Sequence, residues 1–262
     1  MIAVTGMHRS GTSCFTGLLA RCGFSLGRAY PLLNESRMDN EKGHFENLAA
    51  VAINETILRC SGGSWLSPPS TERLSATSDR FSGHMKQFST TFDGVIFKDP
   101  RMCLTIASWE KYCSEYLQFV VLCLRHPAGV ALSLHRRDNM EIEAGLELWL
   151  RYNRSLLDGI SKTPLIVTDY DQLGFEFPGE LKRLMAALGV KMSKKKICRQ
   201  TENFYSEKLN HARAEAIAAI HLPVEIASLY QELRSRASVS VHQKQSGKSL
   251  RHSLTEFLQR WA

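Results

Sequence analysis

The sequence lacks any uninterrupted apolar run near the length of about 18 residues that a bilayer-spanning helix requires. Its first residues also lack the features of a secretory signal, because the opening apolar stretch is short and no basic region precedes it. We therefore expect a protein without a membrane span.

The cysteines lack the spacing of a metal or redox motif. The seven of them are odd in number, and no two are spaced C-x-x-C. Several lie in apolar surroundings, such as Cys123 within Phe-Val-Val-Leu-Cys-Leu. This usage predicts reduced thiols in a cytoplasmic protein rather than disulfides or a zinc site.

The charge pattern lacks the marks of a nucleic-acid-binding protein. The formal net charge is +7, but aromatic residues are not interleaved with the basic ones. The run of lysines at 194–196 is typical of a solvated face. We expect no nucleic-acid partner, while the positive balance remains compatible with an anionic ligand.

Apolar strands alternate with helical patterns over most of the chain. With 262 residues and 44% hydrophobic content, the chain is long enough for one substantial domain. The predicted strands are 2–5, 94–98, 118–124 and 164–168. The predicted helices are 12–22, 47–59, 104–114, 128–137, 141–158 and 178–188. This alternation predicts an α/β fold with a central parallel sheet flanked by helices in three layers.

The pattern changes near residue 190, beyond which the sequence is helical and polar. We therefore expect a single domain over 1–262, with a core over about 1–190 and a helical C-terminal part over about 191–262. Two segments are predicted to be loops. One is 30–47, and the other is 61–82, interpreted as either a mobile cap or a plain surface loop.

A glycine-bearing loop follows the first predicted strand. It reads Gly6-Met-His-Arg-Ser-Gly-Thr-Ser13 and leads directly into a predicted helix. Glycines permit backbone geometry that other residues resist, and the start of a helix attracts anions. The spacing is that of a phosphate-binding P-loop, with Ser10, Gly11 and Thr12 among its candidate ligands.

The lysine that normally follows the second glycine of a P-loop is absent, since Thr12 stands there. Arg9 is the strong cation within the loop. A kinase would need that lysine and a magnesium site, for which Ser13 and Asp99 are the available candidates. We expect a loop that binds a phosphate-like group without ordinary ATP chemistry.

Two motifs together resemble sulfotransferases that use 3′-phosphoadenosine 5′-phosphosulfate (PAPS). The loop with Arg9-Ser-Gly-Thr-Ser13 resembles the family's sulfate-end loop. The segment from Arg125 to Ser133 resembles its second signature, in which an arginine ends a strand and a serine lies on the next helix. The resemblance covers roughly residues 1–190. Two shorter segments, 40–47 and 98–101, are similar to bacterial members.

The resemblance implies roles for these residues. The cofactor-binding set would be His8, Arg9, Ser10, Gly11, Thr12, Ser13, Arg125 and Ser133. Within it, Arg125 and Ser133 would bind the 3′-phosphate, and Arg9 would hold the 5′-phosphosulfate end. Lys98 would be a second cation at the sulfuryl group, unless it is an ordinary lysine at a strand end. PAPS would be the cofactor, adenosine 3′,5′-bisphosphate the product, and no metal would be required.

The chain departs from the animal cytosolic members in two places. Cys14 stands where they carry a tryptophan near the adenine, and no histidine follows Lys98. The base must therefore be another residue. Glu46 is our first choice and Asp99 the second, ahead of His44 and His8.

The sequence does not identify the acceptor, for which we expect a small molecule or a carbohydrate. Trp65 and Phe45 are candidates to line its pocket, whereas Trp109 has the spacing of a core residue. Two alternatives to the sulfotransferase remain open. One is a nucleotide-dependent small-molecule kinase with a degenerate P-loop, and the other is a non-catalytic nucleotide-binding module.

Overall fold

The computed structural model describes residues 1–33, 44–201 and 214–238, apart from the side chains of residues 173–177. Within these ranges the strands are β1 (Ile2–Thr5), β2 (Leu32–Leu33), β3 (Glu46–Asn47), β4 (Ile96–Lys98), β5 (Phe119–Leu124) and β6 (Leu165–Asp169). The helices are α1 (Thr12–Arg21), α2 (Leu48–Cys60), α3 (Thr71–Ser78), α4 (Ser82–Thr91), α5 (Met102–Cys113), α6 (Pro127–Asp138), α7 (Ile142–Gly159), α8 (Tyr170–Ala187), α9 (Lys194–Thr201), α10 (Ala214–Ala218) and α11 (Val224–Ser238). A 3₁₀ turn over Asp79–Phe81 joins α3 to α4.

Four strands form a parallel sheet in the order β4-β1-β5-β6. In the register, Ile2 of β1 lies between Ile96 of β4 and Phe119 of β5. Leu122 of β5 pairs with Val167 of β6. Each of these four strands corresponds to a predicted one, and the predicted parallel α/β architecture is confirmed. The short strands β2 and β3 form a separate antiparallel pair.

Helices cover both faces of the sheet, which explains why its strands read as continuous apolar runs. On β5, Val120 and Leu122 face a core built with α2, α4, α5, α6, α7 and α11. Val121 and Cys123 face the opposite core, built with α1, α8 and α9. The three-layer arrangement therefore follows from strands that bury both faces.

The prediction of a loop over 61–82 was wrong in its second half, where α3 and the 3₁₀ turn lie. Ser70 starts α3 by accepting a hydrogen bond at Oγ from the Arg73 N–H, and Leu74 is buried. The segment is mostly polar, and within α3 only Leu74 is a buried apolar residue, so the helical pattern is weak in the sequence. Helix α4 was not predicted at all.

The helix predicted over 178–188 begins eight residues earlier, at Tyr170. Asp169 accepts the N–H groups of Asp171 and Gln172 at its carboxylate, and so starts the helix at the end of β6. Pro178 lies inside the helix rather than at its start. Most of the 30–47 segment lies outside the described residues.

Candidate functional site

The site lies where the parallel strands end, because carboxyl ends of neighbouring strands meet at one edge of a sheet. Thr5 ends β1, Lys98 ends β4, Leu124 ends β5 and Asp169 ends β6. The glycine-bearing loop over residues 6–11 leaves β1 at this edge and enters α1.

Both glycines of the loop are required by close packing. Gly11 has a φ of 85°, and a Cβ there would lie 2.1 Å from the Tyr170 ring. Gly6 has a φ of 145°, and its Cβ would lie 2.5 Å from the carbonyl oxygen of Cys123. Residues with a Cβ resist this region, and the space is already filled. The loop is therefore held tightly between β5 and α8.

The start of α1 is open to an anion. Its N-cap residue is Gly11, which offers no side-chain hydrogen bond to the first helical N–H groups. The N–H of Ser10 donates to the Met7 carbonyl, and Ser10 and Thr12 are buried. Uncapped N–H groups at a helix start, together with the helix dipole, favour a phosphate or sulfate group.

Arg9 connects the loop to the second motif. Its φ of 71° lies in the left-handed region, which is unusual for a residue with a side chain. From there Arg9 Nε donates to Ser133 Oγ on α6 at 2.9 Å. Arg125 Nη1 donates to the Arg9 carbonyl, also at 2.9 Å. The two motifs identified in the sequence therefore meet at Arg9.

Arg125 is buried and held from three directions. Its guanidinium lies 4.9 Å from the centre of the Tyr170 ring. Its carbonyl accepts a hydrogen bond from the Trp149 indole at 3.1 Å. These contacts, with the one to Arg9, fix a cation beside the loop.

Lys98 connects Ser13, at the start of α1, to the segment that contains His44 and Glu46. Its Nζ donates to Ser13 Oγ at 3.1 Å, to the His44 carbonyl at 2.9 Å and to Glu46 Oε1 at 2.9 Å. The side chain is almost fully buried, and burial lowers the pKa of Lys98 against the opposing pull of Glu46. Because an ammonium has three protons, these contacts use all of them.

Glu46 is the centre of a buried ion network. Its Oε1 pairs with Lys98, and its Oε2 accepts from Arg101 Nη1 at 3.3 Å. Burial opposes ionisation, but Lys98 and Arg101 together hold the pKa of Glu46 below its usual value. Glu46 is therefore an ionised carboxylate with both oxygens engaged.

Asp99 lies deeper, with no exposed surface. Its Oδ1 accepts from Arg101 Nη1 at 2.9 Å, and its Oδ2 accepts from Asn54 Nδ2 at 2.8 Å. Burial raises the pKa of Asp99, and Arg101 opposes the rise. These partners fit a carboxylate that orients Arg101 rather than one that meets a ligand.

Arg101 and Asn54 were not identified as site residues from the sequence. Arg101 joins Glu46 to Asp99 and also pairs with Glu55 at 2.9 Å. Asn54 Oδ1 accepts from the Trp109 indole at 2.9 Å. Trp109 itself is fully buried, as its spacing predicted. The one signal for Arg101 was its place two residues after Asp99, in the segment 98–101.

The His8 ring packs against two aromatic rings. Its ring centre lies 4.4 Å from that of Trp65 and 6.0 Å from that of Tyr152. Arg137 lies 5.5 Å from the centre of the same Trp65 ring. Trp65, a candidate pocket residue, therefore lies beside the loop. Phe45, the other candidate, has a φ of 55°, in the left-handed region of backbone conformation.

The C-terminal part, which the resemblance does not cover, also reaches this edge of the sheet. Tyr230 on α11 packs its ring 4.9 Å from that of His126. Arg234 Nε lies 3.7 Å from Asp169 Oδ2. Helix α11 therefore adds an aromatic ring beside His126 and a cation beside Asp169.

Three observations concern the predictions made from the sequence about disulfides, a membrane span and a metal site. The cysteines, all of them in described parts of the chain, are free thiols. Within the ranges given above, no helix has the length and apolarity to cross a membrane. The same residues contain no group of three or more His, Cys, Asp or Glu side chains arranged to hold a metal ion.

Three sulfotransferases are among the solved structures to which this chain is similar. The sulfotransferase domain of the Synechococcus PCC 7002 olefin synthase is 17% identical with a TM-score of 0.49, over 89% of this chain and 94% of that one. The sulfotransferase domain of the curacin biosynthetic pathway is 15% identical with a TM-score of 0.43, over 99% and 97%. Sulfotransferase STF1 of Mycobacterium tuberculosis H37Rv is 11% identical with a TM-score of 0.42, over 90% and 76%. No protein-family model and no curated protein matches the chain.

Proposed function

We propose that this chain is a sulfotransferase that moves a sulfuryl group from PAPS to a hydroxyl or amine of a small-molecule or carbohydrate acceptor. The meeting of Arg9, Ser133 and Arg125 supports this most strongly. Two motifs more than a hundred positions apart supply a cation, a hydroxyl and a second cation around one loop. A donor with anionic groups at two positions fits such a pair of neighbouring cations.

The residues divide between the two ends of the donor. The open N–H groups at the start of α1, the Arg9 guanidinium and the hydroxyls of Ser10, Thr12 and Ser13 would hold the 5′-phosphosulfate end. Arg125 and Ser133 would hold the 3′-phosphate. His8, which the resemblance places with this group, has its ring packed against Trp65.

When bound, PAPS supplies an activated sulfuryl group whose departure leaves negative charge on the 5′-phosphate. Arg9 and the N–H groups of α1 stabilise that charge because they are fixed before the reaction begins. Lys98 holds Ser13 and Glu46 in place, and giving up one of its three contacts would free an N–H group to donate to the sulfuryl group. These cations and the helix start would supply the neutralising charge, so the proposed reaction requires no metal ion.

Calorimetry with adenosine 3′,5′-bisphosphate, with and without Mg²⁺, tests the assignment. We expect binding that does not depend on the metal, followed by release of the bisphosphate from PAPS with an acceptor panel. Magnesium-dependent binding of ATP with none of the bisphosphate would instead establish the kinase. Binding without sulfuryl transfer to any acceptor would establish the non-catalytic module. We also infer a cytoplasmic protein, which the free thiols favour.

A further inference from the structure

The imidazole of His8 has a feature that the donor-binding roles do not use. Its Nε2 is buried and has no hydrogen-bond partner among the residues that the structure describes. A buried polar atom without a partner costs about 1–3 kcal/mol. Such an atom within a loop that binds a ligand points to a partner that arrives with the ligand.

The surroundings of His8 keep the ring neutral. Burial lowers its pKa well below 6.5, and the charges of Arg101, Arg137, Lys98 and Arg9 lower it further. The rings packed against it carry no charge, and the Tyr152 hydroxyl donates to the Trp65 carbonyl at 3.0 Å. A neutral imidazole has one nitrogen with a free electron pair, and in the tautomer that carries its proton on Nδ1 that nitrogen is Nε2, which then accepts a proton.

The carboxylates nearby are poorly suited to that task. Both oxygens of Glu46 are held by Lys98 and Arg101, and both oxygens of Asp99 by Arg101 and Asn54. A base must reach the proton that it removes. Either carboxylate would first have to release a buried cation, whereas His8 has no bond to break at Nε2.

We infer that His8 Nε2, rather than Glu46, takes the proton of the acceptor hydroxyl or amine. This rests on the proposed function. As the acceptor attacks, its O–H or N–H bond breaks and the proton moves to Nε2, while an O–S or N–S bond forms. The S–O bond to the 5′-phosphate breaks, and its electron pair leaves on the phosphate oxygen. The proton passes to solvent after the products leave. Glu46 is then a positioning residue that holds Lys98 and Arg101.

Binding of the donor makes His8 a better base. Of the four cations that depress its pKa, Arg9 lies in the loop itself, and an anionic donor bound there offsets part of their charge. We therefore expect the pKa of His8 to rise when the donor binds. A base whose pKa rises in this way removes the acceptor proton only after the sulfuryl donor has bound.

Histidine NMR tests this without relying on turnover. The full chain, labelled at histidine, is titrated from about pH 5 to 9, alone and with saturating adenosine 3′,5′-bisphosphate and sulfate. His8→Gln assigns the His8 resonance. We expect the His8 midpoint to move upward in the complex. A midpoint unchanged by the bound bisphosphate overturns the inference.

Turnover supplies the second readout. With phenol as the probe acceptor, H8Q should release bisphosphate from PAPS about 100-fold more slowly than the parent, with its affinity for the bisphosphate unchanged. The control is His84→Gln, an exposed histidine on α4. Equal rates in H8Q and H84Q overturn the inference. If the parent chain itself does not bind the bisphosphate, the proposed function is what fails.

Discussion

Arg9 Nε donates a hydrogen bond to Ser133 Oγ at 2.9 Å, across 124 positions of the chain. The contact joins the loop after β1 to helix α6, and it brings the two sequence motifs to one point. Because the Arg9 backbone lies in the left-handed region, the loop conformation itself directs this side chain. Donor binding should therefore depend on both residues, and more strongly on Arg9 than on Ser133.

Arg9→Ala should weaken binding of adenosine 3′,5′-bisphosphate by roughly a hundredfold, because it removes a charged donor to an anionic ligand. Ser133→Ala should weaken binding by about tenfold, the value of one ordinary hydrogen bond. Arg136→Ala is the matched control, since Arg136 is exposed on the same helix. Calorimetry measures all three. Equal affinities in R9A and R136A would exclude Arg9 from the donor site.

Gly11→Ala should destabilise the protein and abolish nucleotide binding. The new Cβ would lie 2.1 Å from the buried Tyr170 ring, at a φ that favours glycine. Gly23→Ala is the control, because Gly23 has a similar φ of 101° with nothing within 4 Å of its Cβ position. We expect G23A to cost about 1 kcal/mol for the backbone alone, and G11A clearly more. Thermal denaturation compares them, and equal costs would contradict the packing argument.

The core of the fold was predictable from the sequence because its signals are local. Strand β5 is a continuous apolar run, and α1 begins directly after Gly11. By contrast, α3 is polar with few buried positions, so its periodicity is weak. Helix α8 contains Pro178, which suggested a helix start where the structure has a helix interior.

The candidate site also contains residues that were predictable from the sequence and residues that were not. Arg9, Arg125 and Ser133 were identified because their spacing forms recognisable motifs. Arg101 was not, because its three carboxylate partners come from separate elements: Glu46 from β3, Glu55 from α2, and Asp99 from the turn after β4. Which carboxylate pairs with which cation depends on packing that brings α2 against α5. Spacing along the chain does not contain that information.

Glu46 should make the protein sensitive to acid. Its pKa is lowered in the folded state, so the unfolded chain binds a proton more readily near the ordinary value of 4.5. The contribution of Glu46 to the free energy of unfolding is therefore complete above pH 4.5 and is lost as the pH falls through its folded-state pKa. Glu46→Gln should flatten this part of the stability profile.

Urea unfolding at a series of acid pH values measures the Glu46 effect. Glu147→Gln is the control, since Glu147 is exposed on α7. E147Q should keep the slope of the parent protein. An E46Q variant with the same slope as E147Q would show that Lys98 and Arg101 do not hold the ionised carboxylate in solution.

Glu110→Ala should lower the free energy of unfolding without changing the affinity for adenosine 3′,5′-bisphosphate. Glu110 on α5 accepts from the N–H groups of Lys162 and Thr163, at 2.8 and 3.0 Å, and so fixes the loop before β6. That loop lies at the amino ends of the strands, opposite the candidate site. Because the buried Thr163 N–H and the partly buried Lys162 N–H lose their partner, we expect a loss of about 1–3 kcal/mol in the free energy of unfolding.

Binding of adenosine 3′,5′-bisphosphate by folded E110A should equal that of the parent, since no site residue depends on this contact. Glu115→Ala provides the control, because Glu115 is exposed just after α5. Calorimetry below the melting temperature of E110A makes the comparison. A large loss of affinity in E110A would mean that the sheet transmits strain from its amino edge to the loop at Arg9. The rigidity that we assign to the donor site would then depend on the whole α5–β6 connection rather than on the contacts among Arg9, Ser133 and Arg125.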